Sequence, residues 1–143
     1  MATVFAGIVA SVVALLNAGT PVSPQIDRAR LRPVPEGQAT AVCVRVKSSE
    51  LDRLAIRQAP INLDTTVVVE CYARSNTATP DLVADALLAA VYARLAADPS
   101  LGGTVADMQP LSLDYDFDAD ADRTACISLT YLVRHRTQSL SLE

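Results

Sequence analysis

A chain of 143 residues, half of them hydrophobic and one fifth charged, can bury one sizeable core but is too short for two ordinary domains. Its formal net charge of -4 and its 4% aromatic content without tryptophan speak against specific nucleic-acid binding. That function needs a basic surface and, for single strands, stacking platforms.

Residues 2–18 carry no charge. Val4, Ile8, Val12 and Leu16 fall on one line of a helix and Phe5, Val9 and Val13 on the next, while Ala6, Gly7, Ala10, Ser11 and Ala14 make a small-residue side. No Lys or Arg precedes the run, and it falls short of the ~20 residues a membrane span needs. It therefore reads as a core helix over residues 1–19 rather than a signal or an anchor, and no membrane partner is expected. Gly19, Thr20 and Pro21 end it.

Residues 25–34 read as a strand with Arg28, Arg30 and Arg32 on one side, closed by Pro33, Pro35 and the turn Glu36-Gly37-Gln38. Residues 40–47 follow as a strand with Val42, Val44 and Val46 inward and Cys43, Arg45 and Lys47 outward. Residues 48–62 are polar and mixed and read as a long loop. Ser49 with Asp52 resembles a capping pair before a helical turn holding Leu54 and Ile56. Loops of that length commonly carry function, so Glu50, Asp52, Arg53 and Arg57 are candidate partner contacts.

Residues 64–97 form the best-defined unit, a buried strand feeding an amphipathic helix. Thr65, Val67, Val69, Cys71 and Ala73 share one side of a two-residue period. Thr79 suits a helix N-cap, Pro80 the first helical position and Asp81 the positive end of the helix dipole. Leu82, Val83, Ala86, Leu87, Ala90, Val91 and Leu95 make the expected apolar stripe, and Asp98-Pro99 with Gly102-Gly103 ends the helix near residue 97. Residues 105–137 then read as a closing hairpin. Leu111, Leu113, Tyr115 and Phe117 alternate with Ser112, Asp114, Asp116 and Asp118 as a half-buried strand, and Ile127, Leu129, Tyr131 and Val133 repeat the pattern. Residues 138–143 show little pattern and read as a tail.

Little in the chain suggests chemistry. The three cysteines, Cys43, Cys71 and Cys126, have no CxxC spacing, and strand parity sets Cys71 on the face opposite the other two, as expected of reduced, buried thiols. Asp116, Asp118 and Asp120 imitate the opening of a calcium loop, but the sixth and twelfth positions are Ala121 and Ile127, where Gly and Glu belong. His135 stands between Arg134 and Arg136 without GxSxG or a paired cysteine, and no phosphate-binding glycine loop is present. No enzyme activity, metal or cofactor is expected. The pattern as a whole predicts an α+β sandwich: a mixed, mostly antiparallel sheet of about five strands with two helices on one face.

Five stretches carry a family likeness: the apolar helix ending near Asn17, then Arg28-Ala29-Arg30-Leu31-Arg32-Pro33-Val34-Pro35, then Ala41-Val42-Cys43-Val44, the strand 66–74, and the ending 127–137. In this order of elements the sequence resembles the tail terminator or tail-completion proteins of long-tailed bacteriophages and gene transfer agents. The resemblance implies a virion protein assembled in the bacterial host cytoplasm. It would form a homo-hexameric ring on the tail tube protein, stop tube polymerisation, and offer a surface to the head connector or stopper protein. A head-to-tail ring needs two complementary patches per subunit. The basic set Arg28, Arg30, Arg32, Arg45 and Lys47 and the acidic set Asp114, Asp116 and Asp118 are the candidates, the basic face of one subunit meeting the acidic face of the next. Another neck component, such as a head-closure protein, is the nearest alternative, and a secreted ligand-binding domain with residues 1–18 as its signal is the more distant one.

Overall fold

The computed structural model describes residues 3–28, 40–52, 61–74, 80–118 and 124–137. In chain order it contains α1 (Val4–Asn17), β1 (Ile26–Arg28), β2 (Thr40–Asp52), β3 (Ile61–Arg74), α2 (Pro80–Ala96), β4 (Asp107–Asp118) and β5 (Thr124–Thr137). The strands make one sheet in the order β1-β2-β3-β5-β4. β1 runs parallel to β2, and every other neighbouring pair is antiparallel. This is the α+β fold expected, with a mixed and mostly antiparallel sheet.

Local chemistry accounts for the elements. Thr3 caps α1 by accepting the Ala6 N–H on its Oγ1 at 3.4 Å, and Ile8, Val9, Val12 and Leu16 turn inward at helical spacing. Past α2, the Asp98 carboxylate accepts the Gly102 N–H at 2.8 Å, and Leu101, Gly102 and Gly103 all take positive φ. β5 enters between β3 and β4, antiparallel to both, so β3 and β4 run the same way and α2 is the crossover joining them. At 1.5 Å per residue its 17 residues reach about 25 Å, enough to carry the chain past β5.

The core lies between helices and sheet. Residues facing each other across the strands form rows: Val42, Cys71 and Ile127, then Val44, Val69 and Leu129, then Val46, Val67 and Tyr131. α1 packs over β1 and β2, and α2 over β3 and β5. Each large aliphatic side chain fully buried in these rows contributes about 1.5–3 kcal/mol before ordering entropy is subtracted. Cys71 stands in a helix-side row, while Cys43 and Cys126 pair with Glu70 and Tyr72 on the other parity, as expected.

Three expectations need correction. The buried face of α2 is Ala84, Leu87, Leu88, Val91 and Leu95, whereas Leu82 is 65% exposed and Ala86 and Ala90 face outward. The helix is apolar nearly all round, so periodicity alone did not single out one side. Second, both ends of the loop expected over 48–62 are strand: residues 48–52 extend β2 and residues 61–62 begin β3, while 53–60 lie outside the described residues. Ser49 is therefore not a helix cap, since its hydroxyl lies 2.9 Å from that of Thr65 across the strand pair, and Asp52 pairs with Asn62. Matched polar residues held the pairing together without leaving an apolar period to read. A register shift between Val46 and Ser48 marks where the alternation breaks. Third, the apolar row of β4 is not half-buried: Leu111, Leu113 and Tyr115 are 60%, 44% and 55% exposed. Neither helix packs broadly on this edge strand. Of the strand expected over 25–34, Ile26–Arg28 is observed; Thr79, Leu54, Ile56, Asp120 and the tail lie outside the described residues.

Candidate assembly interface

Among the described residues, the charged residues singled out from the sequence fall toward opposite sides of the sheet, with Arg28 on one edge strand and the aspartates on the other. Arg28 sits on β1, and Arg45 and Lys47 on β2, whereas Asp114, Asp116 and Asp118 lie on β4. With strands about 4.8 Å apart, β1 and β4 stand roughly 19 Å from each other, so the two sets do not converge within one subunit. Asp114 and Asp116 pair with Ser128 and Cys126, which places them on the face away from the helices, and both are exposed.

The basic side chains are partly committed. Arg28 donates to the Ala6 carbonyl of α1 at 3.1 Å, and Arg45 forms an ion pair with Glu70 at 2.9 Å while Tyr72 donates to the other carboxylate oxygen at 2.6 Å. Lys47 is exposed in the irregular stretch of β2. Arg30 and Arg32 lie outside the described residues, as do Arg53 and Arg57; Glu50 is exposed on β2, and Asp52 is that strand's last residue.

Sequence reasoning missed an apolar surface. Leu113 and Tyr115 stand opposite Leu129 and Ile127, hence on the helix side of the sheet but beyond the cover of α2, and Leu111 precedes them at a register shift. On the other flank of α2 an open groove of about 480 Å³ is lined by Val22, Thr40, Leu82, Val83, Ala86, Leu87 and Ala90. The signal was present in the sequence: α2 has only Asp81, Asp85 and Arg94 as charges, and a helix apolar on every side is ordinarily covered on every side.

One buried polar cluster has the residue types of chemistry. His135, 4% exposed, holds Nε2 at 2.6 Å from Thr65 Oγ1, which in turn meets Ser49 Oγ at 2.9 Å, and the Phe5 ring packs edge-on against the imidazole. Burial pushes the His135 pKa down, with Asp64 opposing in part. Thr65 stands between the serine and the imidazole, and among the described residues His135 Nδ1 has no hydrogen-bond partner. The cluster thus lacks the carboxylate that orients a catalytic histidine. Burial also raises the Cys126 thiol and pushes Cys71 up to about 12, so both stay protonated at neutral pH and are poor nucleophiles. Among the described residues no group of three or more His, Cys, Asp or Glu side chains is placed to hold a metal ion, and no helix is long and apolar enough to cross a membrane.

No family model and no curated protein matches the chain. Among solved structures it is similar to a chain of the virion of a native gene transfer agent (GTA) particle, with a TM-score of 0.58 and 17% sequence identity. The match covers 93% of this chain and 98% of that one. At this identity the likeness shows a shared fold over essentially the whole of both chains.

Proposed function

We propose that this chain is a non-catalytic structural subunit of a phage-like or gene-transfer-agent particle. More narrowly, it forms a ring at the end of the tail tube, stops tube growth and presents the attachment surface for the head connector. The observation that carries the reading is the end-to-end likeness in fold to a virion chain. Two features support it: Arg28 sits on the edge strand opposite the one that carries Asp114, Asp116 and Asp118, and large apolar side chains are exposed beside α2, as a subunit built to touch other subunits requires.

The test is to add the purified protein to tail tubes and image them, alongside particles made without it. A ring at one tube end, with tubes of uncontrolled length when the protein is missing, is the expected result. Tubes of normal length that fail to join heads would assign the protein to the head-closure side of the neck. Normal particles without it would overturn the structural reading altogether.

A further inference from the structure

Four of the six large exposed apolar side chains among the described residues gather in two places, with Leu51 and Tyr92 apart from them. Leu111, Leu113 and Tyr115 form a ridge on β4, and Leu82 lines the groove beside α2 together with Ala86 and Ala90. α2 lies over β3 and β5, so the ridge stands on its β4 flank, while the groove, which reaches Val22 and Thr40 at the start of β2, stands on the other. One subunit therefore carries an exposed apolar ridge and an apolar groove on opposite flanks of α2. That arrangement cannot satisfy itself within the subunit, and it fits a second copy placed alongside.

Charge selects how the copies meet. β4 carries Asp107, Asp114, Asp116 and Asp118 and no base, so pairing β4 with β4 across a two-fold axis would set acid against acid. The opposite flank offers Arg28 and Lys47, both exposed, although Arg28 also donates to the Ala6 carbonyl and Glu50 is an exposed acid further along β2; Asp27 on β1 already accepts the Gln25 amide at 2.8 Å. Strand direction agrees: β4 runs opposite to β5, and β1 runs with β2, which runs with β5. Copies placed side by side in one orientation would thus bring antiparallel edges together, the ordinary relation in this sheet.

From this we infer that the β4 ridge of each copy docks in the α2 groove of the next, a head-to-tail contact between copies of this chain. The inference rests on the ring reading above and names the surfaces that would close the ring. The test uses two variants of the full chain, each altered only at exposed positions: Leu111→Ser with Leu113→Ser on the ridge, and Ala86→Arg with Ala90→Arg in the groove. Circular dichroism and thermal melts first establish that both stay folded, and sedimentation then reads mass across a concentration series.

Wild-type protein is expected to assemble, and each variant alone to fall to the 15.2 kDa monomer. An equimolar mixture is expected to give a species of twice that mass and no larger, because one intact ridge meets one intact groove and nothing remains to extend the chain. Variants that assemble like wild type would overturn the contact and leave the ring reading standing. A mixture that stays monomeric would overturn the ridge-to-groove pairing. Wild type that stays monomeric throughout would overturn the contact as an intrinsic property of the chain, and the ring reading would then depend on the tail-tube experiment alone.

Discussion

Arg94 ties the two helices together, and its removal tests how α1 is held. It lies in the last turn of α2, yet its guanidinium reaches across to the end of α1 and donates to the carbonyls of Leu15 at 3.2 Å, Thr20 at 2.8 Å and Ala18. Leu15 belongs to the last turn of α1 and its carbonyl also accepts the Ala18 N–H at 3.3 Å, whereas Ala18 and Thr20 follow the helix; a cation here meets the negative end of the α1 dipole as well as these oxygens. Hydrogen bonds to charged groups contribute about 1.5–3 kcal/mol each when buried, but two of these three are exposed and deserve far less. Adding the dipole contribution of roughly 0.3–1 kcal/mol, Arg94→Ala is expected to cost about 2–3 kcal/mol. For a chain of 143 residues, unfolding entropy makes that a fall of roughly 7–10 °C in Tm. Arg94→Lys keeps the charge but loses the fork, and should recover about half of the loss. Denaturant titration gives the free energy, and hydrogen exchange locates it, with α1 amides losing protection ahead of the sheet. A change below about 0.5 kcal/mol, with α1 exchange unaltered, would mean that the apolar face alone holds the helix and that the guanidinium is incidental.

Two further outcomes follow from burial. Leu88, 9% exposed, and Leu82, 65% exposed, are the same residue type on the same helix; Leu88→Ala should cost about 2–4 kcal/mol and Leu82→Ala less than about 0.5 kcal/mol, and equal costs in urea titrations would refute the observed rotation of α2. His135 is buried with its pKa depressed below the ordinary 6.5, so the unfolded chain binds the proton more readily. Its contribution is fully present above pH 6.5 and is lost as pH falls through that value toward the depressed pKa, at no more than about 1.4 kcal/mol per pH unit. Tm measured from pH 7.5 to about 5 should therefore fall more steeply for the wild type than for His135→Gln, whose amide can still hydrogen-bond Thr65 in either direction but cannot titrate; parallel curves would remove the histidine from the acid response.

The sequence was most readable where a single period dominates. Val67-Val68-Val69 announced β3 because β-branched residues favour a pleated strand, and Pro80 with Asp81 announced the start of α2 because the first helical turn leaves its N–H groups without partners. It was least readable where polar residues pair across strands. Ser49 and Thr65 satisfy each other's hydroxyls, and nothing in either stretch alone shows that the other lies opposite. The candidate site divides the same way: Asp114 and Asp116 were identifiable as an outward row, but the exposure of Leu113 and Tyr115 opposite them depends on where α2 stops covering the sheet.

The chain by itself determined the order and type of its main elements and the alternation of β3 and β5, because capping, β-branching and two-residue periodicity act between near neighbours. Tertiary structure alone decided which side of α2 is buried, that β5 enters between β3 and β4, and that Arg28 and the aspartates of β4 end on opposite edge strands. Those outcomes depend on contacts between residues far apart in the chain, and a helix made mostly of alanine and leucine gives no local preference for one face over another until the sheet supplies it.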